Sequence, residues 1–453
     1  MAIILYLFIF SALGWSLQQM FSSPNKTNWQ KQWGESFFVG IVMVICIENT
    51  AQLFHLNLNQ ALLFKLVFIY AVFSAVLFVI LNKHKLKKPT FYHNNGFLLL
   101  TIFLIVVHLF SLIYQNHLLP ITPWDAWNGW LAKGKIWYFN GINELIVVRP
   151  QWLEHNHAYT NATAHYPDGL PLLYVFNAGF WGWQETSLNA IYPAMFMAFL
   201  LAFYGNIKLL TSAVCAQVAS VLLISLPLLA AHVALAGYAD IWMAAFLFLS
   251  FINLVRIGLA KDRANNRHIL FTFFIFTFGL LSFKLIAWVW CFILIGTYAV
   301  FKIPKDKRLK VYAIIAVVFI MWYVLHGISI TTPWGLLSIQ PDVIQVPGLG
   351  IYKLKFLDST QSWLEALFYS NNWHLLWFSL PFVLYFAFKQ RAVASVRFTS
   401  IFLFLSIVFL FVLFYMTYNS VFANDFTSSN RIVLHVVPVY LFFLVQLGYR
   451  KNM

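Results

Sequence analysis

The sequence predicts an all-α polytopic membrane protein of about 13 transmembrane helices, an expectation that rests on three observations. Of the 453 residues, 61% are apolar, 19% aromatic and only 9% charged, and the mean hydropathy is +0.76, far outside the range of a soluble domain. Long apolar runs recur along the chain, most of them close to the roughly 20 residues that a helix needs to cross about 30 Å of hydrocarbon. The lysines and arginines fall in short clusters between these runs, so the net charge of +15 reads as an orientation signal and not as a nucleic-acid surface.

In chain order the runs are 3–21, 37–54, 60–82, 97–115, 188–205, 213–234, 238–257, 268–282, 285–301, 311–328, 373–388, 398–418 and 432–448. The first has no basic segment before it and no small-residue cleavage site after it, so it is expected to stay as a helix. The segment from Gly169 to Gln184 opens near Pro171 and ends on Trp181 and Trp183, which favour the headgroup region, so it is expected to be a surface helix and not a span. Cys46, Cys215 and Cys291 each sit inside an apolar run without a partner at a ligand spacing and read as packing residues. Residues 1–95 are expected to form an N-terminal three-helix module and 96–453 a second, catalytic membrane domain.

Charge orients the helices. Placing Lys83, Lys85, Lys87 and Lys88 in the cytoplasm puts the later basic clusters there too: Lys208; Arg256 to Arg267; Lys302 to Lys310; Lys389 to Arg397; Arg450 and Lys451. Counting Gly169 to Gln184 as a span would invert everything after it. The loops 115–187 and 329–372, the mouth 237–240, the break 283–285 and the loop 419–431 then face outward, and chemistry is expected there.

In the long loop 115–187, Trp124, Trp127, Trp130, Leu131, Trp137 and Tyr138 project within an arc of about 140° at 100° per residue, and Asp125 lies outside it. An amphipathic helix resting its tryptophans on the bilayer would hold Asp125 at the aqueous boundary. Thr122, Pro123 and Asp125 equally fit a helix cap, and the two readings are not exclusive. Glu154, His155, His157 and His165 match no standard ligand spacing and read as solvated loop residues; no metal site is assigned. Asp240, in GYAD, serves either to orient an acceptor or share a base role, or simply as a favourable anion in a first helical turn. Lys284 and Arg431 each start a helix, where the dipole disfavours a cation, so an anion is expected near each, either a phosphate or an internal partner. His435, one turn after Arg431, points the same way, and His165 with Tyr166 either lines a sugar site or makes a turn before Pro167.

The run WDAWNGWLAKGKIWYFNG, then HYPDGLPLL, GYADIWMA, SNNWHLLW and SSNRIVLHVVP, resembles the GT-C superfamily of membrane glycosyltransferases. It is most similar to the bacterial branch grouped with the lipopolysaccharide galacturonosyltransferases, relatives of the lipid A aminoarabinose transferase and the protein O-mannosyltransferases. The resemblance runs from about Gly96 to the C-terminus. It implies a polyprenyl-phosphate-linked sugar donor and a catalytic aspartate in the first large extracytoplasmic loop, which by motif is Asp125. The chain departs from relatives that carry lysine-asparagine-glutamate-glycine after the eighth helix, since Phe283, Lys284, Leu285 and Ile286 keep only the lysine. Asp168 stands where the aminoarabinose transferase has a nearby basic residue.

The expected reaction is an inverting displacement with Asp125 as base, at the outer face of a bacterial inner (cytoplasmic) membrane, from the lipid-linked donor to an envelope acceptor: glycolipid, polysaccharide or protein. No cytoplasmic loop carries a P-loop or dinucleotide fingerprint, which agrees with a lipid-linked donor. No cofactor is expected, a divalent cation being left open, and no nucleic acid is expected as a partner. The alternatives are an O-antigen ligase or polymerase, which usually places its large loop late in the chain, and a transporter. A transporter would be expected to show repeats, broken helices and buried ionisable residues, of which only Lys65 stands out.

Overall fold

The computed structural model describes residues 1–21, 29–82, 96–155, 157–260, 267–307, 310, 314, 317, 320–321, 327–332, 335–346 and 350–449. The basic residues from Lys83 to Lys88, Lys261, Arg263, Arg308, Arg450 and Lys451, and most of the run 311–328, lie outside them.

Eight helices among the described residues are long and apolar enough to cross a membrane: Ala2–Phe21, Trp29–Leu53, Gln60–Leu81, Gly96–Leu118, Glu185–Leu210, Asp240–Leu259, Ala394–Tyr415 and Ser429–Gly448. The chain is a multi-pass membrane protein. Of the other expected spans, 213–234 is a pair, Ala213–Ser225 and Pro227–Ala234, bent by 66°. Pro227 has no amide to continue the ladder, and Leu226 before it is extended (φ −71, ψ 120), as a residue preceding proline prefers. Arg267–Leu281, Ala287–Lys302 and Leu376–Lys389 are shorter apolar helices.

The chain folds as two compact units, Met1–Ala287 with Val437–Met453, and Trp288–Val436. The first three helices, expected as an added module, belong to the larger unit. The first two pack backbone to backbone: a Cβ on Gly14 would stand 1.8 Å from the Ser36 carbonyl oxygen, and one on Gly40 2.1 Å from that of Phe10. Asp240–Leu259 runs through the middle of this unit, with only Arg256, Ile257 and Leu259 escaping burial. The helix Gly169–Trp181, expected near the membrane surface and not as a span, is not among the helices long and apolar enough to cross a membrane, and every residue from Gly169 to Ala178 is buried. Apolar residues occupy all its faces, so neighbouring protein covers it: Gly179 lies against Gln60, and Phe176 packs on Phe10 and Phe64.

In the smaller unit, the loop 329–372 holds an unanticipated antiparallel sheet of four strands, Ile328–Thr332, Gly335–Ile339, Val343–Val346 and Gly350–Lys353, paired in chain order. Ser329 opposes Ser338 and their hydroxyls lie 2.8 Å apart. The irregular segment that follows is tied to the helix Ala394–Tyr415 and its end, with the Lys355 amide donating to the Met416 carbonyl and that of Leu357 to Tyr415.

Candidate functional site

Three segments that the sequence singled out meet in the larger unit. The first is the Asp125 turn. Pro123 occupies the cap position and its carbonyl accepts from the amides of Ala126 and Trp127. Asp125 already has helical backbone angles (φ −60, ψ −32) and does not itself serve as the N-cap acceptor of the turn that follows. Ala126–Trp130 then winds as a π turn before the α-helix Leu131–Asn140. This turn breaks the 100° projection on which the bilayer-facing arc was drawn. Trp124 (77% exposed) and Trp127 (63%) stay outside, whereas Trp130, Leu131 and Trp137 are buried inside the protein. Asp125 itself is half-buried.

The second segment is 161–169, held in place by the helix Leu131–Asn140 and the turn before it. Asn161 donates to the Gly129 carbonyl (3.1 Å) and accepts from the amide and hydroxyl of Thr163. A Cβ on Gly129 would stand 2.7 Å from the Thr163 Oγ1, so glycine permits this approach. Lys133, buried, donates to the carbonyls of Ala164 (3.0 Å) and Tyr166 (3.4 Å), pairs with the Asp168 carboxylate and lies 5.0 Å from the Trp137 ring centre. The Tyr166 ring meets Trp130 edge-on at 5.3 Å, while His165 is exposed. Burial pushes the Asp168 carboxyl above its usual range, and Lys133 offsets part of that rise. Partial burial, and then the charge of Lys133, hold the His165 imidazole below its usual pKa.

The third segment joins Gly237–Asp240 to the break at Ser282–Ile286. Asp240 is fully buried; Lys284 Nζ lies 2.6 Å from its Oδ1, and His232 Nε2 is 4.0 Å from its Oδ2. The anion that the position of Lys284 called for is thus supplied by the protein, and Asp240 holds a buried ion pair. His232 Nδ1 lies 2.8 Å from the Leu228 carbonyl oxygen, and its ring packs on Tyr238 at a tilt of 39°. Two glycines lock the three segments together. Gly237 adopts φ +115, and a Cβ there would lie 2.4 Å from that of Ala126, next to Asp125. The amide of Gly169 donates to the Ser282 carbonyl, whose oxygen would be 2.4 Å from a Cβ on Gly169. Asp125, Asp168, Asp240 and Lys284 are therefore all carried on segments packed directly against one another.

Arg431 and His435 belong to the smaller unit. Arg431 is half-buried; His435 is buried and its Nδ1 accepts from the Trp290 indole at 3.1 Å, which places its proton on Nε2. Beside them Asn430 accepts from the indole of Trp373.

Glu154, His155 and His157 are exposed, and among the described residues no three of His, Cys, Asp and Glu gather as a metal set. A cavity of about 270 Å³ lies elsewhere in the larger unit, between Leu58–Ala61, Trp137–Tyr138 and Gly179, and none of the expected site residues lines it. Lys133 and His232 were not anticipated. For Lys133 one signal was available: it stands between Ala132 and Gly134, small neighbours that let the backbone approach Pro171, whose oxygen would lie 3.0 Å from a Cβ on Gly134.

No family model, no curated protein and no solved structure matches this chain.

Proposed function

We propose that the protein is a membrane glycosyltransferase that moves a sugar from a polyprenyl phosphate carrier to an envelope acceptor at the outer face of the bacterial inner membrane. The observation that supports this reading most is the meeting of the Asp125 turn, the Lys133-pinned segment 164–169 and the Asp240–Lys284 pair. Displacing the carrier at the anomeric carbon needs a base at the acceptor hydroxyl and cations where the phosphate gains charge. Asp125 takes the hydroxyl proton while the acceptor oxygen bonds to the anomeric carbon. The bond from that carbon to the phosphate oxygen breaks, and the carrier leaves as the phosphate with inversion. In the larger unit Asp240 orients Lys284 toward the phosphate, and His165 and Tyr166 flank the sugar; Arg431 and His435, in the smaller unit, are read as phosphate contacts from their places in the sequence alone. The proposal is tested by mass spectrometry of envelope glycolipids and glycoproteins with and without the chain, together with transfer from synthetic polyprenyl-phosphate sugars by the purified protein. Unchanged envelopes and no transfer from any such donor would overturn it.

A transporter keeps one observation in its favour, the broken helix pair around Pro227. Solute flux in proteoliposomes without any covalent product would select it.

Two expected results arise here. Cysteines at Thr186 and Lys208, both exposed, should differ, only the first reacting with an impermeant thiol reagent in intact cells. Labelling of both positions would break the orientation. Arg431→Ala should weaken binding of free polyprenyl phosphate by about 2–4 kcal/mol, roughly thirty- to a thousandfold, with acceptor binding nearly unchanged. Arg431→Lys should recover only part, lacking the forked donors. Normal carrier binding with lower thermal stability would make Arg431 half of an internal pair.

A further inference from the structure

The cavity of about 270 Å³ that the proposed transfer leaves unused is walled by two segments, the turn 54–59 with the start of Gln60–Asn82, and the end of Leu131–Asn140. The basic-residue bias places both on the outer side. Hydrogen bonds stitch them together. Gln52 donates to the Ile142 carbonyl (2.8 Å), and Asn143 donates to Asn57 Oδ1 (3.2 Å) and to the Leu56 carbonyl (3.4 Å). On another side the Gln60 carbonyl oxygen would lie 2.4 Å from a Cβ on Gly179, so backbone closes that wall. Trp137 and Tyr138 supply aromatic surface, and Trp137 is held by its own hydrogen bond to the Glu144 carbonyl.

The polar wall is Gln60. Its Nε2 donates to Glu48 Oε2 at 3.1 Å, and Glu48 is fully buried. A carboxylate only accepts, so it fixes the sense of the amide, nitrogen toward Glu48 and Oε1 away from it. Gln60 Oε1 and Glu48 Oε1 are both buried and, among the described residues, have no hydrogen-bond partner. Two unmet acceptors joined through one hydrogen bond at a cavity wall call for a donor.

That demand sets the chemistry of the ligand. A phosphate or carboxylate would bring acceptors to acceptors. A cation would face the start of the Gln60–Asn82 helix, where the dipole disfavours it, and Glu48 does not itself line the cavity. Neutral hydroxyls remain. Aromatic walls favour a ligand with apolar faces, and C–H faces with a rim of hydroxyls describe a sugar ring. The volume lies below the roughly 300–1,000 Å³ of sites for drug-sized ligands, so it suits one ring and not a chain of them.

We propose that this cavity binds a single neutral pyranose ring, with Gln60 accepting from a ring hydroxyl, Trp137 and Tyr138 against its faces, and Glu48 positioning the Gln60 amide. The site uses neither Asp125 nor Lys284, and it stands whether the protein transfers sugars or transports them.

The test is binding of methyl β-glucopyranoside, methyl β-galactopyranoside and methyl α-mannopyranoside to the purified full-length chain, read by saturation-transfer NMR. An amine-oxide detergent is used because it carries no sugar headgroup, and choline and inorganic phosphate serve as charged competitors. At least one glycoside should bind, in the millimolar range expected of so few atoms, and neither competitor should displace it. Tyr138→Leu and Gln60→Met should each weaken binding about tenfold or more. Glu48→Gln can donate as well as accept, so it frees the Gln60 amide to turn. Affinity should fall about threefold or more in that variant while its ligand-free thermal midpoint holds or rises, since a buried charge is removed. Should Gln60→Met, which strips Glu48 of its donor, fail to fold, the other two variants carry the test. Absence of glycosyl transfer would leave the proposal standing, because the readout is binding alone. No binding of any of the three glycosides would leave the cavity to water, undiminished binding in Tyr138→Leu would put the sugar elsewhere, and displacement by choline would make this a cation site; each outcome overturns the proposal.

Discussion

Asp125→Asn should abolish glycosyl transfer while the protein stays folded. Removing a general base costs about 10²–10⁴-fold in rate, and asparagine cannot take the acceptor proton. The substitution is nearly isosteric, at a half-buried residue, and asparagine can keep any hydrogen bond that the carboxylate accepts at the helix start, so the thermal midpoint should stay within about 1–2 °C of the wild type. Single-turnover transfer from a synthetic donor separates chemistry from binding: the rate should collapse, whereas donor and acceptor affinities should change little. Asparagine would leave a merely structural aspartate close to fully replaced. Full transfer activity in the variant would therefore remove Asp125 from the chemistry, whatever became of the reading of the protein as a glycosyltransferase.

What the sequence revealed, it revealed through composition and through breaks. The membrane class follows from apolar runs alone, and the interruptions at Gly237–Asp240 and Phe283–Leu285 are legible because polar or small residues stop an apolar run. What the breaks hold is not legible in the same way. Asp240 and Lys284 are 44 positions apart, and no local spacing says that one carboxylate will meet the other's ammonium. The arc of tryptophans failed for a different reason: periodicity presumes a constant turn, and the π turn at Ala126–Trp130 sends Trp130 inward. That protein packs around Gly169–Ala178 was not legible, because an apolar, short, tryptophan-ended segment looks the same whether lipid headgroups or protein surround it. Glu48, buried inside a span with Gln60 as hydrogen-bond partner, and the Lys31–Glu35 pair escaped notice, since a charge near a helix end is ordinary in sequence and its burial depends on what packs over it.

Lys133→Met should be the most destabilising single substitution in the candidate site. It keeps the aliphatic bulk against Trp137 but leaves Asp168 without its cation and the carbonyls of Ala164 and Tyr166 without a donor. Breaking one side of a buried pair costs about 3–5 kcal/mol, because the uncompensated charge remains behind. Transfer activity should fall as well, since the segment carrying His165 and Tyr166 loses its anchor. The pH dependence has a definite sign. Burial already raises the Asp168 carboxyl, and losing Lys133 raises it further, so the charged form is the one that suffers in the variant. The deficit should therefore be full above the variant's folded-state pKa and shrink as pH falls through it, where a neutral Asp168 needs no cation; only the two carbonyls then lack partners. Asp168→Asn added to Lys133→Met should recover stability at neutral pH for the same reason, with a coupling visible in a double-mutant cycle of thermal midpoints. A deficit that stays constant with pH, or a double variant no more stable than Lys133→Met, would show that Lys133 acts on the two carbonyls and Trp137 alone and that its pairing with Asp168 adds nothing.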